Sequence, residues 1–276
     1  MTLMENEILQ QAEVLKNCIV YNRQTFEEVS KAIKQKNITN VVIAARGSSN
    51  NAGNYFKYAF ESLAKIPVSL AAPGVNTMYN AELDLSSSLV IGVSQSGMAA
   101  DVMAVLENGV RSGALTLSVT NNLESKMANM TDFHLYCNAG KELSVAATKT
   151  YTAQMCLLGY LAAYHSQNRQ VQEELTQIAD NLPKIFGLKP QIQDLAQKYK
   201  DLESLIVLGR GTNYPIALET ALKIQETTYI NARAYAASDF HHGPFAIVDQ
   251  NTTVLLIAPA GNSQKDMQEL KEKLLG

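Results

Sequence analysis

The chain has 276 residues, of which 46% are hydrophobic and 18% charged, and its net charge of −3 argues against a nucleic-acid partner. No apolar run approaches the roughly 18 residues of a membrane helix, so no membrane partner is expected, and the polar, acidic start does not resemble a signal peptide. Three scattered cysteines and four histidines lack the spacing of a disulfide framework or a metal site, so we expect a cytoplasmic protein without a metal.

The predicted elements alternate between helices and strands. Residues 7–36 have the apolar spacing of two amphipathic helices, and residues 1–36 are assigned to this N-terminal region. Apolar runs then predict four buried strands, at 41–45, 88–93, 115–120 and 131–136. Helices are predicted at 51–64, 99–111 and 146–166. Apolar strands separated by helices indicate a parallel sheet covered on both faces, so residues 37–168 predict a first α/β domain.

The segment after the first domain begins with residues 170–200, which are expected to form helices and a connector. Pro183 and Pro190 are expected to interrupt this stretch. A second α/β domain is assigned to residues 190–276 because it contains a further apolar strand, a helix at 215–229 and another strand at 253–258.

The second domain repeats the first. Residues 41–49 read VVIAARGSS and residues 205–213 read LIVLGRGTN, each an apolar strand that ends in Arg-Gly and a hydroxyl residue. Gly97 and Gly261 then fall at equal offsets from Arg46 and Arg210. These matches indicate a duplicated α/β unit. Only residues 262–276 follow Gly261, so the second copy is expected to be cut short.

The loop Ser94-Gln95-Ser96-Gly97 stands between a predicted strand and a predicted helix. Hydroxyls and backbone N–H groups at a helix N-terminus suit a phosphate, and Gly97 would let the backbone approach the anion closely. The alternative is a Ser-rich turn in which Ser96 is an ordinary N-cap. The second copy reads Ala-Pro-Ala-Gly at 258–261, without hydroxyls, which favours one phosphate loop per chain. Ser48 and Ser49 could offer hydroxyls to the same ligand, whereas Arg46 and Arg210 are expected to be structural.

Two further groups could carry acid–base chemistry. Lys223 and Glu226 are three residues apart and share a helix face, and His242 follows in the loop that reads FHHGP. Near a phosphate site the histidine could open a sugar ring while the glutamate moves a proton. The alternative for Lys223 and Glu226 is a surface ion pair. His134 and His165 are expected to be structural or surface residues.

Several stretches together resemble the sugar isomerase (SIS) family, and within it the branch around the isomerase half of glucosamine-6-phosphate synthase. They read SQSG at 94–97, ELSVAATKTY at 142–151, LGRG at 208–211, YPIALE at 214–219, and AYAA at 234–237 followed by HGP at 242–244. The resemblance covers roughly residues 5–259. It implies two tandem SIS domains, each a three-layer unit with a five-stranded, flavodoxin-like parallel sheet, in a homodimer that uses no cofactor.

The resemblance also implies site residues. The groups that would bind a sugar phosphate are Ser48, Ser49, Ser94, Gln95, Ser96, Gly97, Val145 and Ala147. Glu226 would move a proton between C1 and C2, with Lys223 beside it. His242 would assist ring opening from the neighbouring subunit.

Three departures from the synthase leave the substrate open. The chain has no glutaminase domain, Ala99 and Ala147 replace a threonine and a serine, and the C-terminal tail that brings a lysine to the site is absent. The resemblance implies a phosphosugar isomerase or an amino-sugar-phosphate deaminase acting on a hexosamine 6-phosphate or a fructose 6-phosphate-type substrate. The alternatives are a fructosamine-6-phosphate deglycase and a non-catalytic sugar-phosphate-binding protein.

Overall fold

A five-stranded parallel sheet forms the centre of the first of two units in the computed structural model, which describes residues 1–276. The two units comprise residues 1–187 and 188–276. The strands of the first unit are β1 (Asn40–Ala44), β2 (Val68–Leu70), β3 (Ser88–Val93), β4 (Leu115–Thr120) and β5 (Phe133–Tyr136). Their order across the sheet is β2-β1-β3-β4-β5, as in flavodoxin-like folds, which confirms the predicted fold class.

Helices cover both faces of this sheet. They are α1 (Leu3–Leu9), α2 (Gln11–Tyr21), α3 (Arg23–Gln35), α4 (Gly47–Ala64), α5 (Gly74–Thr77), α6 (Ala100–Arg111), α7 (Lys126–Met130), α8 (Lys149–His165) and α9 (Arg169–Phe186). One core lies between the sheet and α2, α3, α4 and α8, and a second core lies between the opposite face and α6 and α7. Every residue of β3 and β4 is buried, which explains the apolar run of β3, whereas β4 alternates apolar residues with buried hydroxyl residues.

The second unit repeats this plan around three parallel strands in the order β7-β6-β8. Its elements are α10 (Lys189–Lys198), β6 (Ser204–Gly209), α11 (Asn213–Thr228), β7 (Asn231–Ala236), α12 (Ala237–Phe240), a 3₁₀ turn (Pro244–Ile247), β8 (Val254–Ile257) and α13 (Gln264–Leu275). One small core involves α11 and the other involves α12 and α13. None of the helices in either unit is long and apolar enough to cross a membrane.

The duplication is visible in matching ion pairs. The Arg46 guanidinium binds Asp101 in the first turn of α6, and its Nε lies 3.0 Å from Oδ2. Arg210 binds Asp266 in the first turn of α13 with an Nε–Oδ2 distance of 2.9 Å. In each unit the ion pair therefore joins the end of the unit's first strand to the equivalent helix, α6 or α13. The prediction that both arginines are structural fits these contacts.

The two helices predicted for residues 7–36 correspond to α2 and α3, and the short helix α1, which begins at Leu3, precedes them. The break between α2 and α3 comes at Asn22, whose side chain bonds to the backbone of β5. Its Nδ2 donates to the carbonyl of Tyr136 and its Oδ1 accepts from the Tyr136 N–H, at 2.8 and 2.9 Å. The amide thus pairs with the backbone of edge strand β5 much as a neighbouring strand would. A partner so far along the chain could not be read from local spacing.

Two strands and one proline also differ from the sequence predictions. The strand β2 has only three residues and β7 reads NARAYA, so neither shows a continuous apolar run. Pro183 lies inside α9 and does not end it, because the helix continues to Phe186 even though proline has no N–H to donate to the preceding turn. Pro190 lies in the first turn of α10, a position where proline is well tolerated.

The half-buried His134 predicts an acid-sensitive fold. Burial lowers the pKa of its imidazole to about 4, while Nε2 lies 2.9 Å from the hydroxyl of Thr120. In the unfolded chain the His134 imidazole titrates near pH 6.5, so between pH 6.5 and 4 the unfolded state binds more protons than the folded state. The stability associated with a neutral His134 is therefore fully present above pH 6.5 and is lost as the pH falls towards 4. We expect a loss of about 1–2 kcal/mol, allowing for solvent screening, in urea unfolding at pH 5 relative to pH 7.5.

The matched variant for this pH effect is His134→Gln, which keeps an N–H donor but does not titrate. It should lose measurably less stability than the wild type over the same pH interval. Equal losses in both proteins would show that another group is responsible.

Candidate functional site

The first candidate site lies at the carboxyl ends of β1 and β3. The chain leaves β1 towards β2 on one side of the sheet, and from β3 onwards it moves to the other side. Such a switch point opens a crevice between neighbouring loops, where open α/β sheets bind their ligands. The loops that follow β1 and β3 contain Gly47-Ser48-Ser49 and residues 94–97. The topology therefore places both serine-containing loops at one crevice.

The loop after β1 turns directly into a helix. The helix α4 begins at Gly47, whose φ of +54° favours glycine, and Ser48 and Ser49 occupy its first turn. Its N-cap, Arg46, makes no capping hydrogen bond with its side chain. The first backbone N–H groups of a helix have no intrahelical acceptor and carry partial positive charge, so this turn suits an anion.

The 94–97 loop is held by its own hydroxyls. The Ser94 Oγ accepts the Gly97 N–H at 3.2 Å, and the Ser96 Oγ accepts the Met98 N–H at 3.3 Å. Ser94 is buried, whereas Gln95 and Ser96 are exposed. The following helix α6 has Ala99 as its N-cap, with no side-chain cap, so the alternative that Ser96 is the N-cap is wrong.

Gly97 is fixed by packing. Its φ is +64°, and a Cβ atom there would lie 2.3 Å from the Ser125 Oγ and 2.4 Å from the Ser125 Cβ. Ser125 is the N-cap of α7 and accepts the Ala128 N–H at 3.2 Å. The loop can therefore sit this close to α7 only with glycine at position 97.

Asn121 joins three of the loops, and the sequence analysis did not identify it. Its backbone N–H donates to the Gln95 carbonyl at 2.9 Å, and its side chain bonds the Gly140 carbonyl at 2.7 Å and the Ala139 N–H at 2.9 Å. The residue follows β4, so it links the loop after β3 to the loop after β5. An asparagine directly after a buried strand is the signal that could have identified it.

The segment after β5 contains the predicted contacts Val145 and Ala147. The side chain of Glu142 braces its far end by accepting from the Thr148 N–H at 2.8 Å and the Thr148 hydroxyl at 2.9 Å, and it also binds the Thr150 hydroxyl. Val145 is 98% exposed, and Ala147 is half-buried. Val145 is therefore accessible on a segment whose position is fixed by hydrogen bonds.

In the second unit, Lys223 lies between two carboxylates on α11. Its Nζ is 2.6 Å from Oε2 of Glu226 and 3.2 Å from Oε1 of Glu219. The side chains of Lys223 and Glu219 are only 19% and 6% exposed, so the group is not the simple surface pair considered above. Glu219 was missed as a member, although its spacing of four residues from Lys223 would have identified it.

His242 lines a different cleft of the second unit. The cleft has a volume of about 330 Å³, and its polar lining residues are Arg210, Ser238, His241, His242, Asp266, Glu269 and Lys273. The His242 backbone N–H donates to the Asp239 carbonyl at 2.9 Å, which fixes the turn after α12. The imidazole is therefore exposed beside both acidic and basic groups.

Within one chain, Glu226 and His242 lie at opposite ends of the second sheet. Glu226 occupies the last turn of α11, just before β7 begins, whereas His242 follows the end of β7. Six strand residues separate these ends by about 20 Å at the usual rise per residue. A single copy of this unit therefore cannot apply both side chains to one small substrate. No group of three or more His, Cys, Asp or Glu side chains in the chain is placed to hold a metal ion.

This architecture defines a duplicated, doubly wound α/β protein with loop-built sites at the carboxyl ends of its strands. The SIS domain model matches residues 33–164 and 198–275, and the chain belongs to the SIS family. The chain is 37% identical over 231 residues to the glutamine–fructose-6-phosphate aminotransferase (isomerizing) of Aquifex aeolicus, and 38% identical over 246 residues to that of Neisseria meningitidis. These matches cover 82% and 86% of the chain but only 38% and 40% of the two relatives.

Solved structures agree with these matches. A protein from Silicibacter pomeroyi assigned as a phosphosugar isomerase superposes with a TM-score of 0.92 at 30% identity, covering 99% of this chain and 83% of that one. The C-terminal domain of the aminotransferase from Francisella tularensis superposes with a TM-score of 0.91 at 28% identity, covering 99% and 80%. The chain is thus homologous to the isomerase portion of the aminotransferases and to phosphosugar isomerase-type SIS proteins.

Proposed function

We propose that the chain is a phosphosugar isomerase or amino-sugar-phosphate deaminase that acts on a hexosamine 6-phosphate or fructose 6-phosphate-type substrate without a cofactor. The observation that carries the proposal is the ion-paired group of buried Glu219, partly buried Lys223 and accessible Glu226, in a chain that also has a hydroxyl-lined crevice. Membership in the SIS family and the similarity to aminotransferases that act on fructose 6-phosphate support it.

The phosphate is proposed to bind at the crevice of the first unit. Ser48, Ser49 and Ser96 offer hydroxyl donors there, and the N-terminal turns of α4 and α6 offer backbone N–H groups and partial positive charge. Gln95 lies exposed beside Ser96 and can donate its side-chain amide to the sugar. Val145 and Ala147 would contact the sugar from the segment after β5.

The proton transfer is proposed for Glu226. In an open-chain aldose phosphate the carbonyl acidifies the neighbouring C2–H, so a carboxylate can remove that proton and return it to C1 through an enediol. The Lys223 ammonium, 2.6 Å away, holds this carboxylate in place through an ion pair. With glucosamine 6-phosphate, the same transfer gives the imine of fructose 6-phosphate, and water then releases ammonia.

His242 is proposed to open the sugar ring of a substrate held by a second copy of the chain. The opposite positions of Glu226 and His242 in one unit favour this arrangement, and a homodimer would supply both side chains to each site. Mixing Glu226→Gln with His242→Asn chains under conditions that exchange subunits should then restore about a quarter of wild-type activity.

That recovery follows because half of the dimers would be mixed, and each mixed dimer would have one intact site. An activity equal only to the average of the two variants after verified exchange would contradict the shared site. Wild type mixed with itself through the same exchange procedure is the control for losses.

A substrate panel tests the proposed function itself. Purified protein is incubated with glucosamine 6-phosphate while ammonia and fructose 6-phosphate are followed together, and equal release of both is the expected result. Fructosamine 6-phosphates form the second arm, because turnover of these alone would identify a deglycase. Binding of fructose 6-phosphate without turnover of any substrate would identify a sugar-phosphate-binding protein and contradict the proposal.

A further inference from the structure

The carboxylate of Glu7 is buried although it lies on the first short helix of the chain. Glu7 is only 5% exposed, whereas Leu3 on the same helix is 57% exposed. The carboxylate accepts hydrogen bonds from the backbone N–H groups of Leu143 and Ser144 and from the Ser144 hydroxyl. Glu7 thus binds a loop 136 residues further along the chain.

A second contact joins the same helix to the residue that starts α8. Gln10 caps the C-terminus of α1, and its Oε1 accepts from the Lys149 Nζ at 2.7 Å. Lys149 is 4% exposed. Burial raises the pKa of the Glu7 carboxyl, but the hydrogen bonds from Leu143 and Ser144 and the charge of Lys149 outweigh it, so the net pKa is lowered. Glu7 and Gln10 are three residues apart and face the loop together.

These contacts hold the N-terminal end of residues 143–147, the segment that contains the proposed substrate contacts Val145 and Ala147. Glu7 holds residues 143 and 144, and the Ser144 Oγ also lies 3.0 Å from the Ala146 carbonyl oxygen. Glu142 holds Thr148 at the far end, as described above. Val145 lies between the two braces and is 98% exposed, so its position depends on them and not on packing.

We propose that Glu7 is a positioning residue that holds residues 143–147 in the shape that receives the sugar phosphate. This inference rests on the proposed function, because only that proposal assigns substrate contacts to Val145 and Ala147. Hydrogen bonds to a charged acceptor are about twice as strong as neutral ones, and a segment that is ordered in advance loses less entropy when ligand binds. Loosening the segment should therefore weaken binding without removing any group that touches the ligand.

The test compares Glu7→Gln, Ser144→Ala and the double variant with Glu13→Gln as the matched control. Glu13 is an exposed glutamate on the neighbouring helix α2. Hydrogen exchange at the Leu143 and Ser144 amides reports the order of the segment, and the core amides of α8 report that the protein is folded. Calorimetry with fructose 6-phosphate reports the dissociation constant.

We expect Glu7→Gln to speed exchange at both amides and to raise the dissociation constant about tenfold, with the control within about twofold of wild type. The double variant should be no weaker than Glu7→Gln by more than about twofold, because both changes act through one contact. If Glu7→Gln does not fold, Ser144→Ala replaces it in both measurements, because this variant removes only a single hydroxyl.

Two results would overturn the inference: unchanged exchange at Leu143 and Ser144, or faster exchange with an unchanged dissociation constant. A wild-type chain that binds no sugar phosphate would instead overturn the proposed function, and with it the binding role of the segment. The exchange measurement requires no ligand, so the two failures are distinguishable.

Discussion

Replacing Glu226 with glutamine is expected to lower the turnover number about a thousandfold on the substrate that the panel identifies, since a positioned general base typically contributes 10²–10⁴-fold. The substitution keeps the size of the side chain but removes its charge, and with it both the ability to take a proton and the ion pair with Lys223. Glu226 is proposed to act on the proton and not on the phosphate, so the dissociation constant for fructose 6-phosphate should change by less than about threefold. Steady-state kinetics and calorimetry on the same preparation measure both values.

The matched control is Glu203→Gln, which changes an exposed glutamate of the same unit just before β6. It should retain wild-type turnover. If Glu226→Gln retained full turnover of every hexosamine phosphate, Glu226 would not be the proton carrier. A large increase in the dissociation constant with little change in turnover would assign Glu226 to binding.

Replacing Gly97 with alanine is expected to disable the phosphate crevice and to destabilise the first unit by about 2–4 kcal/mol. Two costs add: an alanine at positive φ costs about 1–2 kcal/mol, and the new Cβ would overlap Ser125. Because Ser125 caps α7, the strain cannot be relieved without moving either the cap or the 94–97 loop. Urea unfolding measures the stability, and calorimetry with fructose 6-phosphate measures the affinity, which should fall at least about tenfold.

Gly113→Ala separates the two costs. Gly113 has a φ of +73°, but no atom lies within 4 Å of the position that its Cβ would occupy. This control carries the backbone penalty alone, so it should cost about 1–2 kcal/mol and leave binding unchanged. Equal effects of the two variants on stability and binding would show that the contact with Ser125 does not restrict the loop.

The layered fold could be predicted because several of its strands are buried and read as apolar runs. The strands β1, β3 and β6 show this pattern, β8 is apolar although partly exposed, and the repeat of Arg-Gly after β1 and β6 revealed the duplication. Short or alternating strands such as β2 and β7 give no such signal. The contact of Asn22 with β5 could not be predicted, because its partner lies more than a hundred residues away.

The candidate site shows the same division between local and distant information. The 94–97 loop and the pair Lys223 and Glu226 could be found from short-range spacing. The reason for Gly97 could not, because Ser125 approaches it only in the folded unit. The contact of Glu7 with Ser144 likewise joins side chains whose separation in sequence carries no pattern. The proposed ligand contacts stand in sequence motifs, whereas the contacts that position them join residues far apart in the sequence.

The central claim is a proton transfer between C2 and C1 of a sugar phosphate, and solvent deuterium tests it most directly. Glucosamine 6-phosphate is incubated with the protein in D₂O, and the fructose 6-phosphate formed is examined by NMR. A carboxylate base that exchanges its proton with solvent predicts deuterium at C1 of the product, with none formed by Glu226→Gln. Deuterium incorporated at C1 by Glu226→Gln at the wild-type rate, or the absence of product from every hexosamine phosphate, would contradict the account.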